Sequence, residues 1–123
     1  MKGTVYIAGK MRGVPLFNFP KFDRAAEEFR SLGWRVISPA EMDRERGFDP
    51  TTLGTDLSEG VSPAFLKDAI LRDLTAIIDC TALALLPGWE TSAGAKVELA
   101  LARFLGLTVI NAESKEVIND SYT

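Results

Sequence analysis

The sequence predicts a doubly wound α/β fold, a mostly parallel sheet of four to five strands with helices on both of its faces. Short β-branched or apolar runs alternate along the chain with segments of helical periodicity, which is typical of parallel sheets. No internal repeat is visible, and 123 residues match the commonest size of a single domain. A composition of 46% hydrophobic and 25% charged residues suits one globular core, so we predict one domain over residues 1–123.

The chain begins with a predicted strand and a predicted helix. Thr4–Ala8 is short, β-branched and aromatic, and Gly9 follows it, which predicts a buried strand. Apolar residues recur at helical spacing over Pro20–Leu32, which predicts the first helix. Asn18 is a suitable N-cap for this helix, and Gly33 stands where it ends.

A strand, a long loop and a second helix follow. Trp34–Ile37 is aromatic and β-branched, which predicts the second strand. Residues 41–63 contain several glycines and prolines without a clear period. We therefore predict a long loop there, of the kind that forms a functional lid or is disordered. The helical pattern resumes over about Ala64–Asp79.

The last third of the chain repeats the alternation. Ala82–Leu86 is continuously apolar, as expected of a strand buried on both faces of a parallel sheet. Ser92–Leu105 is the third predicted helix, because its first residue is a suitable cap and Gly106 follows its end. Leu107–Ile110 is the fourth predicted strand, and the polar tail Asn111–Thr123 has no clear pattern.

The residue types that are missing narrow the possible chemistry. The chain has no histidine, the commonest general base and metal ligand. Its single cysteine, Cys80, excludes an internal disulfide and zinc sites built from Cys and His. Catalysis would therefore use carboxylates, hydroxyls, amines or backbone groups, and we expect neither a metal nor an organic cofactor. With 17 acidic and 14 basic residues, we expect no nucleic-acid polymer as a partner.

Signals for export or membrane insertion are absent from the sequence. The longest apolar run is far below the roughly 20 residues of a membrane span, and residues 1–8 lack the pattern of a signal peptide. We therefore expect no membrane partner and a cytoplasmic location, which the single thiol also suits.

Two carboxylates fall on the predicted core-facing sides of two helices. Glu98 lies about 200° around its helix from Lys96, whose side must face solvent. Asp73 falls within the apolar stripe of its helix, whereas Arg72 lies on the opposite side. Two acids in different environments can act as nucleophile and proton donor, as in glycosidic-bond cleavage. The alternative is structural: Glu98 is bound by nearby backbone N–H groups or by an arginine, and Asp73 forms a helix-to-loop hydrogen bond.

Ligands of such sheets bind at the carboxyl ends of the strands, where three loops are expected to meet. These loops are 9–13, 38–41 and 87–94. The first of them matches neither the dinucleotide nor the triphosphate motif, but its glycines and cations suit a single phosphate, unless it is only a tight turn. It consists of Gly9, Lys10, Met11, Arg12 and Gly13.

Further candidates lie on the first strand and near the start of the third helix. Ser92 is an N-cap, and with Gly94 it would also suit a phosphate at a helix N-terminus. Tyr6 is either a core residue or the hydrogen-bond partner of a nearby carboxylate. Trp89 would stack on a base or cover the end of the sheet, and Cys80 is expected to be inert.

The order of these motifs resembles the nucleoside 2-deoxyribosyltransferase superfamily, and most closely its small phage and bacterial members of uncharacterised function. The resemblance covers residues 4–110 and implies a Rossmann-like or flavodoxin-like fold. The motifs that carry it are Tyr6-Ile7-Ala8-Gly9, Arg12-Gly13, Asp73-Leu74, Ser92-Ala93-Gly94, Glu98 and Ala102.

The resemblance implies a role for each matched residue. Glu98 would attack the anomeric carbon of a deoxyribose, Asp73 would help to protonate the departing base, and Tyr6 would orient the nucleophile. Members of the superfamily commonly form homodimers or higher homo-oligomers, in which a neighbour completes the site. Asn119 and Tyr122 of the tail would suit such a donated segment.

Two branches of the superfamily differ around the sugar 5′ position. Transferases place an acid six residues before the nucleophile, whereas the 2′-deoxynucleoside 5′-phosphate N-hydrolases place Ser there and carry a Gly-x-x-Arg-Gly loop. This chain has Ser92 and the Arg12-Gly13 loop, which favours a 5′-monophosphate substrate and water as acceptor. It departs from the pattern at Thr81, where an Asp is common.

Three other functions stay open at this point. A deoxyribosyltransferase would move the sugar between bases and act on nucleosides. A non-catalytic nucleotide-binding module would bind the same ligand without turnover, and its melting temperature would rise. A structural interaction protein would hold Asp73 and Glu98 through backbone bonds alone.

Overall fold

The computed structural model describes residues 2–52 and 63–118 of the chain. Four strands and four α-helices alternate along these residues. The strands are β1 (Thr4–Ala8), β2 (Arg35–Ile37), β3 (Ala82–Leu85) and β4 (Thr108–Asn111). The helices are α1 (Phe19–Ser31), α2 (Pro39–Glu45), α3 (Pro63–Ile78) and α4 (Ala93–Leu105).

The strands form one parallel sheet in the order β2-β1-β3-β4. The register pairs Val5 with Val36 on one side of β1 and Ile7 with Ala84 on the other. The chain thus leaves β1 toward β2 in one direction and leaves β3 toward β4 in the other. This arrangement confirms the predicted doubly wound α/β fold, with four strands, and puts the topological switch point between β1 and β3.

The sheet separates two hydrophobic clusters, because successive side chains of a strand point to opposite faces. Val5 and Ile7 pack on the face covered by α1, where the phenylalanines of that helix are buried. Tyr6 and Ala8 pack on the opposite face, against the buried side chains of α3 and α4. The last four side chains of β1, Val5 to Ala8, are fully buried, as a central parallel strand requires.

The predicted elements are all present, with ends that differ by one residue from several predictions. The main correction concerns the predicted loop 41–63, since its first residues continue helix α2 and residues 50–52 form a 3-10 turn. Residues 53–62 lie outside the described part of the chain. The start of α2 carries a signal that could have been used: Ser38-Pro39-Ala40-Glu41 has the spacing of a capping box, with proline at the first helical position.

The chain after β4 turns back on its own strand. Val117 forms an antiparallel bridge with Ile110, and the Ile118 N–H donates to the Val109 carbonyl at 2.8 Å. The start of the predicted tail therefore pairs antiparallel with β4 through residues 117 and 118. Asn119 and Tyr122, considered above as a donated segment, lie outside the described residues. Over the described ranges, no helix is long and apolar enough to cross a membrane.

Candidate functional site

A cavity of about 590 Å³ opens at the carboxyl edge of the sheet, at the switch point between β1 and β3. Its walls come from the loop after β1, the start of α2, the first half of α3 and the start of α4. The polar and charged side chains among its lining residues are Lys10, Arg12, Asp43, Lys67, Arg72, Asp73, Thr91, Ser92 and Glu98. The cavity brings together most of the residues that the sequence singled out.

A buried hydrogen bond between β1 and α4 holds one of the lining residues, Glu98. The Tyr6 hydroxyl donates to Oε2 of Glu98 at 2.6 Å. Tyr6 is fully buried and Glu98 is 5% exposed, so this bond is shielded from water. The inward direction predicted for Glu98 and the carboxylate partner predicted for Tyr6 are both confirmed.

Burial decides the protonation of this pair. Loss of hydration raises the pKa of Glu98 to about 8, against the lowering effect of the Tyr6 hydroxyl, and the charge of Asp73 adds to the rise. Burial and the neighbouring Glu98 and Asp73 also raise the pKa of Tyr6 well above its ordinary value. Tyr6 therefore stays a hydroxyl, and Glu98 can gain or lose a proton near neutral pH.

Asp73 is the second carboxyl of the cavity, and its partner is an arginine. Asp73 is 8% exposed, which confirms its predicted inward direction. Arg72 donates to Oδ1 of Asp73 through Nε at 2.9 Å and Nη2 at 2.8 Å. Burial raises the pKa of Asp73, while the Arg72 charge and hydrogen bonds act in the opposite direction. The arginine partner, a residue of the same helix, is not the helix-to-loop hydrogen bond considered as the structural alternative for Asp73, and both side chains line the cavity.

Arg72 also binds Asp43, and sequence reasoning missed this connection. The Arg72 Nη1 donates to Oδ1 of Asp43 at 2.8 Å, and Asp43 is 5% exposed. Arg72 was expected on the side of its helix opposite Asp73, but its long side chain turns back toward the cavity. Asp43 was missed because it falls in the segment predicted as a loop. Recognition of the capping-box pattern at Ser38 would have placed it on a helix.

The loop after β1 forms another side of the cavity. Gly9, Lys10, Met11 and Arg12 line it, whereas Gly13 does not. Gly9 is required by close packing, because a Cβ atom there would lie 2.9 Å from the Cβ and Cδ1 of Leu86. Lys10 and Arg12 make this the cationic side of the cavity.

A strained turn supports the cationic loop. Leu16, Phe17 and Asn18 have φ angles of 55°, 52° and 62°, in the left-handed region that costs a non-glycine residue about 1–2 kcal/mol. The Asn18 Nδ2 donates to the Lys10 carbonyl at 2.9 Å, so Asn18 holds the loop and does not cap α1 with its side chain. Phe17 is buried against Phe48, with ring centroids 5.2 Å apart, and lines the cavity. Backbone strain of this kind is commonly found at functional sites.

The N-terminus of α4 completes the lining. Ser92 Oγ accepts a hydrogen bond from the Ala95 N–H at 3.1 Å, which confirms Ser92 as the N-cap. Ser92 and Gly94 both line the cavity. The backbone N–H groups and the positive end of the α4 dipole therefore lie beside the cavity, where an anion is stabilised.

Three residues considered from the sequence lie away from the cavity. Trp89 does not line it and packs, partly buried, against the hydrophobic cluster on the sheet face that α3 and α4 cover. Burial raises the pKa of the Cys80 thiol to about 11, which keeps it protonated and unreactive. Thr81 exchanges 3.2 Å hydrogen bonds with the backbone of Thr4, near the amino ends of β1 and β3.

Aromatic residues of the cavity wall were also missed. Phe65 of α3 lines the cavity together with Phe17, and Phe48 packs between them, 5.5 Å from the Phe65 centroid. No cluster of three or more acidic or cysteine side chains within residues 2–52 and 63–118 is arranged to hold a metal ion.

The fold and the cavity define an α/β protein with a small-molecule-sized cleft at the switch point of a parallel sheet. Within that class, the chain belongs to the family described as Domain of unknown function (DUF4406), whose pattern matches residues 3–111. A search of curated proteins finds no match to the chain.

Proposed function

We propose that this protein hydrolyses the N-glycosidic bond of a 2′-deoxynucleoside 5′-monophosphate and releases the free base. The observation that carries the proposal is the buried Tyr6–Glu98 hydrogen bond, since Glu98 lines a cavity that two cations and a helix N-terminus also line. The proposal includes a relationship to the nucleoside 2-deoxyribosyltransferase superfamily, which the sequence motifs resemble. It also includes a cytoplasmic location.

The proposed reaction has two steps. Glu98, as a carboxylate, attacks C1′ of the deoxyribose, the bond from C1′ to the base nitrogen breaks, and its electron pair goes to the base. Asp73 donates a proton to the departing base. Water then attacks C1′, the bond from C1′ to Glu98 breaks, and the proton of the water returns to Asp73. Base and deoxyribose 5-phosphate are the products, and both carboxyls are restored.

Tyr6 supports this role of Glu98 by orientation. Its hydroxyl binds Oε2, which leaves Oε1 as the attacking oxygen. The reaction needs Glu98 ionised and Asp73 protonated, so the active pair holds one proton. kcat/KM is therefore expected to fall as the pH rises above about 8, where the pair loses its last proton. A rate that continues to rise above this pH would contradict Asp73 as the proton donor.

A 5′-phosphate suits the cations of the loop after β1 and the N-terminus of α4. Lys10, Arg12 and the N–H groups at the start of α4 supply positive charge and hydrogen-bond donors. Ser92, at the N-cap, adds a hydroxyl and no negative charge. A nucleoside lacking the phosphate would leave these groups without an ionic partner, so we propose that nucleotides are preferred.

The test is to incubate the full chain with each 2′-deoxynucleoside 5′-monophosphate and measure free base by chromatography. We expect release from at least one nucleotide, a lower rate with the matching nucleoside, and none with Glu98→Gln. Ser92→Asp is the matched specificity variant, because aspartate caps a helix as well as serine but repels a phosphate. It should raise KM for the nucleotide and leave KM for the nucleoside nearly unchanged.

Other outcomes identify the other functions. Incorporation of an added free base into a new nucleoside would show a transferase. A rise in melting temperature with nucleotide, without turnover, would show a binding module. Neither turnover nor a thermal shift with any nucleotide would contradict the proposal and favour a structural protein.

We further propose that the protein is a homodimer or a higher homo-oligomer. Large apolar side chains on α3 and α4 are exposed, among them Leu71 at 68%, Ile78 at 60% and Phe104 at 86%. Exposed apolar area of this kind is removed from water when a second copy covers it. The small-molecule ligand and a second copy are the partners that we propose.

A further inference from the structure

Arg72 lies between two buried carboxylates that come from different helices. It donates to Asp43 of α2 through Nη1 and to Asp73 of α3 through Nε and Nη2, all within 2.9 Å. The side chains of Arg72, Asp43 and Asp73 are 19%, 6% and 11% exposed. Because little water reaches the cluster, these charges interact more strongly than an ion pair at the surface.

The two carboxyls of the proposed reaction have different surroundings. Asp73 contacts the Arg72 cation directly through two nitrogens. Glu98 accepts the Tyr6 hydroxyl and, among the residues that the structure describes, forms no ion pair. A negative charge is therefore stabilised more on Asp73 than on Glu98, although both side chains line the same cavity.

We propose that Arg72, anchored by Asp43, is a positioning residue that keeps a single proton on the Asp73–Glu98 pair across neutral pH. The inference rests on the proposed function, in which one carboxyl must be ionised and the other must supply a proton. Arg72 eases the first ionisation of the pair by direct contact and affects the second only at longer range. The pH range in which the pair holds one proton is therefore wider than it would be without the arginine.

Tyr6 connects the two members of the pair. Its hydroxyl is bonded to Glu98 and also acts on Asp73, so it faces both carboxyls. When the Tyr6 hydroxyl donates its hydrogen to Asp73 and accepts the proton of Glu98, Asp73 becomes protonated and Glu98 becomes a carboxylate. This is the form that the reaction needs. No charge is lost or gained, because one proton leaves Glu98 and one arrives at Asp73.

The charged and titratable groups that face Asp73 come from four elements. They are Arg72 of α3, Asp43 of α2, Tyr6 of β1 and Glu98 of α4. Asp43 acts on Asp73 in two ways, since it shares the arginine and its own charge raises the pKa of Asp73. Removal of the Asp43 charge and removal of the Arg72 charge must therefore move the ionisation of Asp73 in opposite directions.

Two variants test this opposition. In Arg72→Gln, Asp73 loses its cation, and its ionisation should move up by about 1 to 3 pH units. In Asp43→Asn, Arg72 forms an ion pair with Asp73 alone, and the pKa of Asp73 should fall. Arg44→Gln is the matched control, because Arg44 forms a similar two-point pair with Asp23 on the surface, outside the cavity. It should leave the ionisation of Asp73 unchanged.

The measurement is a titration of side-chain carboxyl ¹³C shifts in the labelled full chain, with the Asp73 signal assigned from Asp73→Asn. It needs no substrate, so it judges the role of Arg72 even if no nucleotide is hydrolysed and the proposed function fails. With an active enzyme, the acid limb of the kcat/KM profile should move with the Asp73 signal in both variants. Shifts of Asp73 in the same direction in both variants, or none in either, would overturn the proposal. If Arg72→Gln does not fold, the Asp43→Asn variant decides by itself. An unchanged or raised pKa of Asp73 in that variant would overturn the proposal.

Discussion

The buried carboxyl of Glu98 should make the stability of the protein depend on pH in a way that one substitution removes. An unfolded chain exposes Glu98 to water, where its pKa is near 4.5, whereas burial raises the pKa to about 8 in the folded protein. A group with a raised folded pKa contributes stability that is complete below the unfolded pKa. That contribution is lost as the pH rises toward the folded value.

The magnitude follows from the two pKa values. A rise from 4.5 to about 8, at about 1.4 kcal/mol for each unit, corresponds to on the order of 5 kcal/mol between the two ends of the range. Glu98 is 5% exposed, so screening by solvent reduces this figure little. Glu98→Gln keeps the shape and an oxygen acceptor for Tyr6 but cannot ionise. Its free energy of unfolding, relative to the original protein, should therefore increase by several kcal/mol from about pH 5 to about pH 9.

The assay is urea unfolding followed by the fluorescence of Trp34 and Trp89, both partly buried in the folded protein. Asp73 and Asp43 titrate in both proteins, so the difference between the two curves reports mainly Glu98. Glu28→Gln is the matched control, since Glu28 is exposed and Lys115 lowers its pKa. Its difference curve should be nearly flat from about pH 5 to about pH 9, because a pKa lowered from 4.5 changes the stability only at lower pH. A Glu98→Gln difference that is flat between the two pH values would refute the reasoning from burial.

Three further substitutions test other parts of the structure. Gly9→Ala should destabilise the protein by about 1–3 kcal/mol in urea unfolding, because its Cβ meets Leu86; an unchanged midpoint would show that the loop shifts freely. Ser92→Ala should cost about 1 kcal/mol through loss of the α4 cap, with Ser92→Thr restoring most of it; equal losses in both would point to a contact other than the cap. Phe104→Asp should convert the oligomer into a monomer in light scattering, and an original protein that is already monomeric would contradict the proposed assembly.

The sequence was most informative about the elements and about the inward direction of two acids. The period of side chains along a strand or helix is set by the backbone, so the apolar pattern places Glu98 and Asp73 on core-facing sides before any contact is known. A carboxylate partner was one of the two alternatives for Tyr6, because a buried hydroxyl requires a partner. All three side chains are buried in the structure, with 2.6 Å between Tyr6 and Glu98.

The local sequence pattern was misleading for two residues whose side chains contact groups outside their own helical turn. Asn18 has the character of a helix cap, but its side chain reaches Lys10 because the preceding turn is left-handed. The helical angle of Arg72 places its Cα on the outer side of α3, but its side chain is long enough to reach Asp73 and Asp43. A flexible side chain can cover more than one face of a helix, so the angle of its Cα does not locate its charge.

The sequence by itself thus determined the alternation of strands and helices, the chemistry that is missing, and the inward direction of Asp73 and Glu98. Each of these follows from residue type and from periods within a single element. Only the tertiary structure decided that Asp43 and Asp73 share one arginine and that Tyr6, rather than the backbone, holds Glu98. It also brought the loop after β1 beside the start of α4. The reason is physical: these groups are up to 92 residues apart in the chain, and only the parallel pairing of β1 with β3 brings them to the same edge.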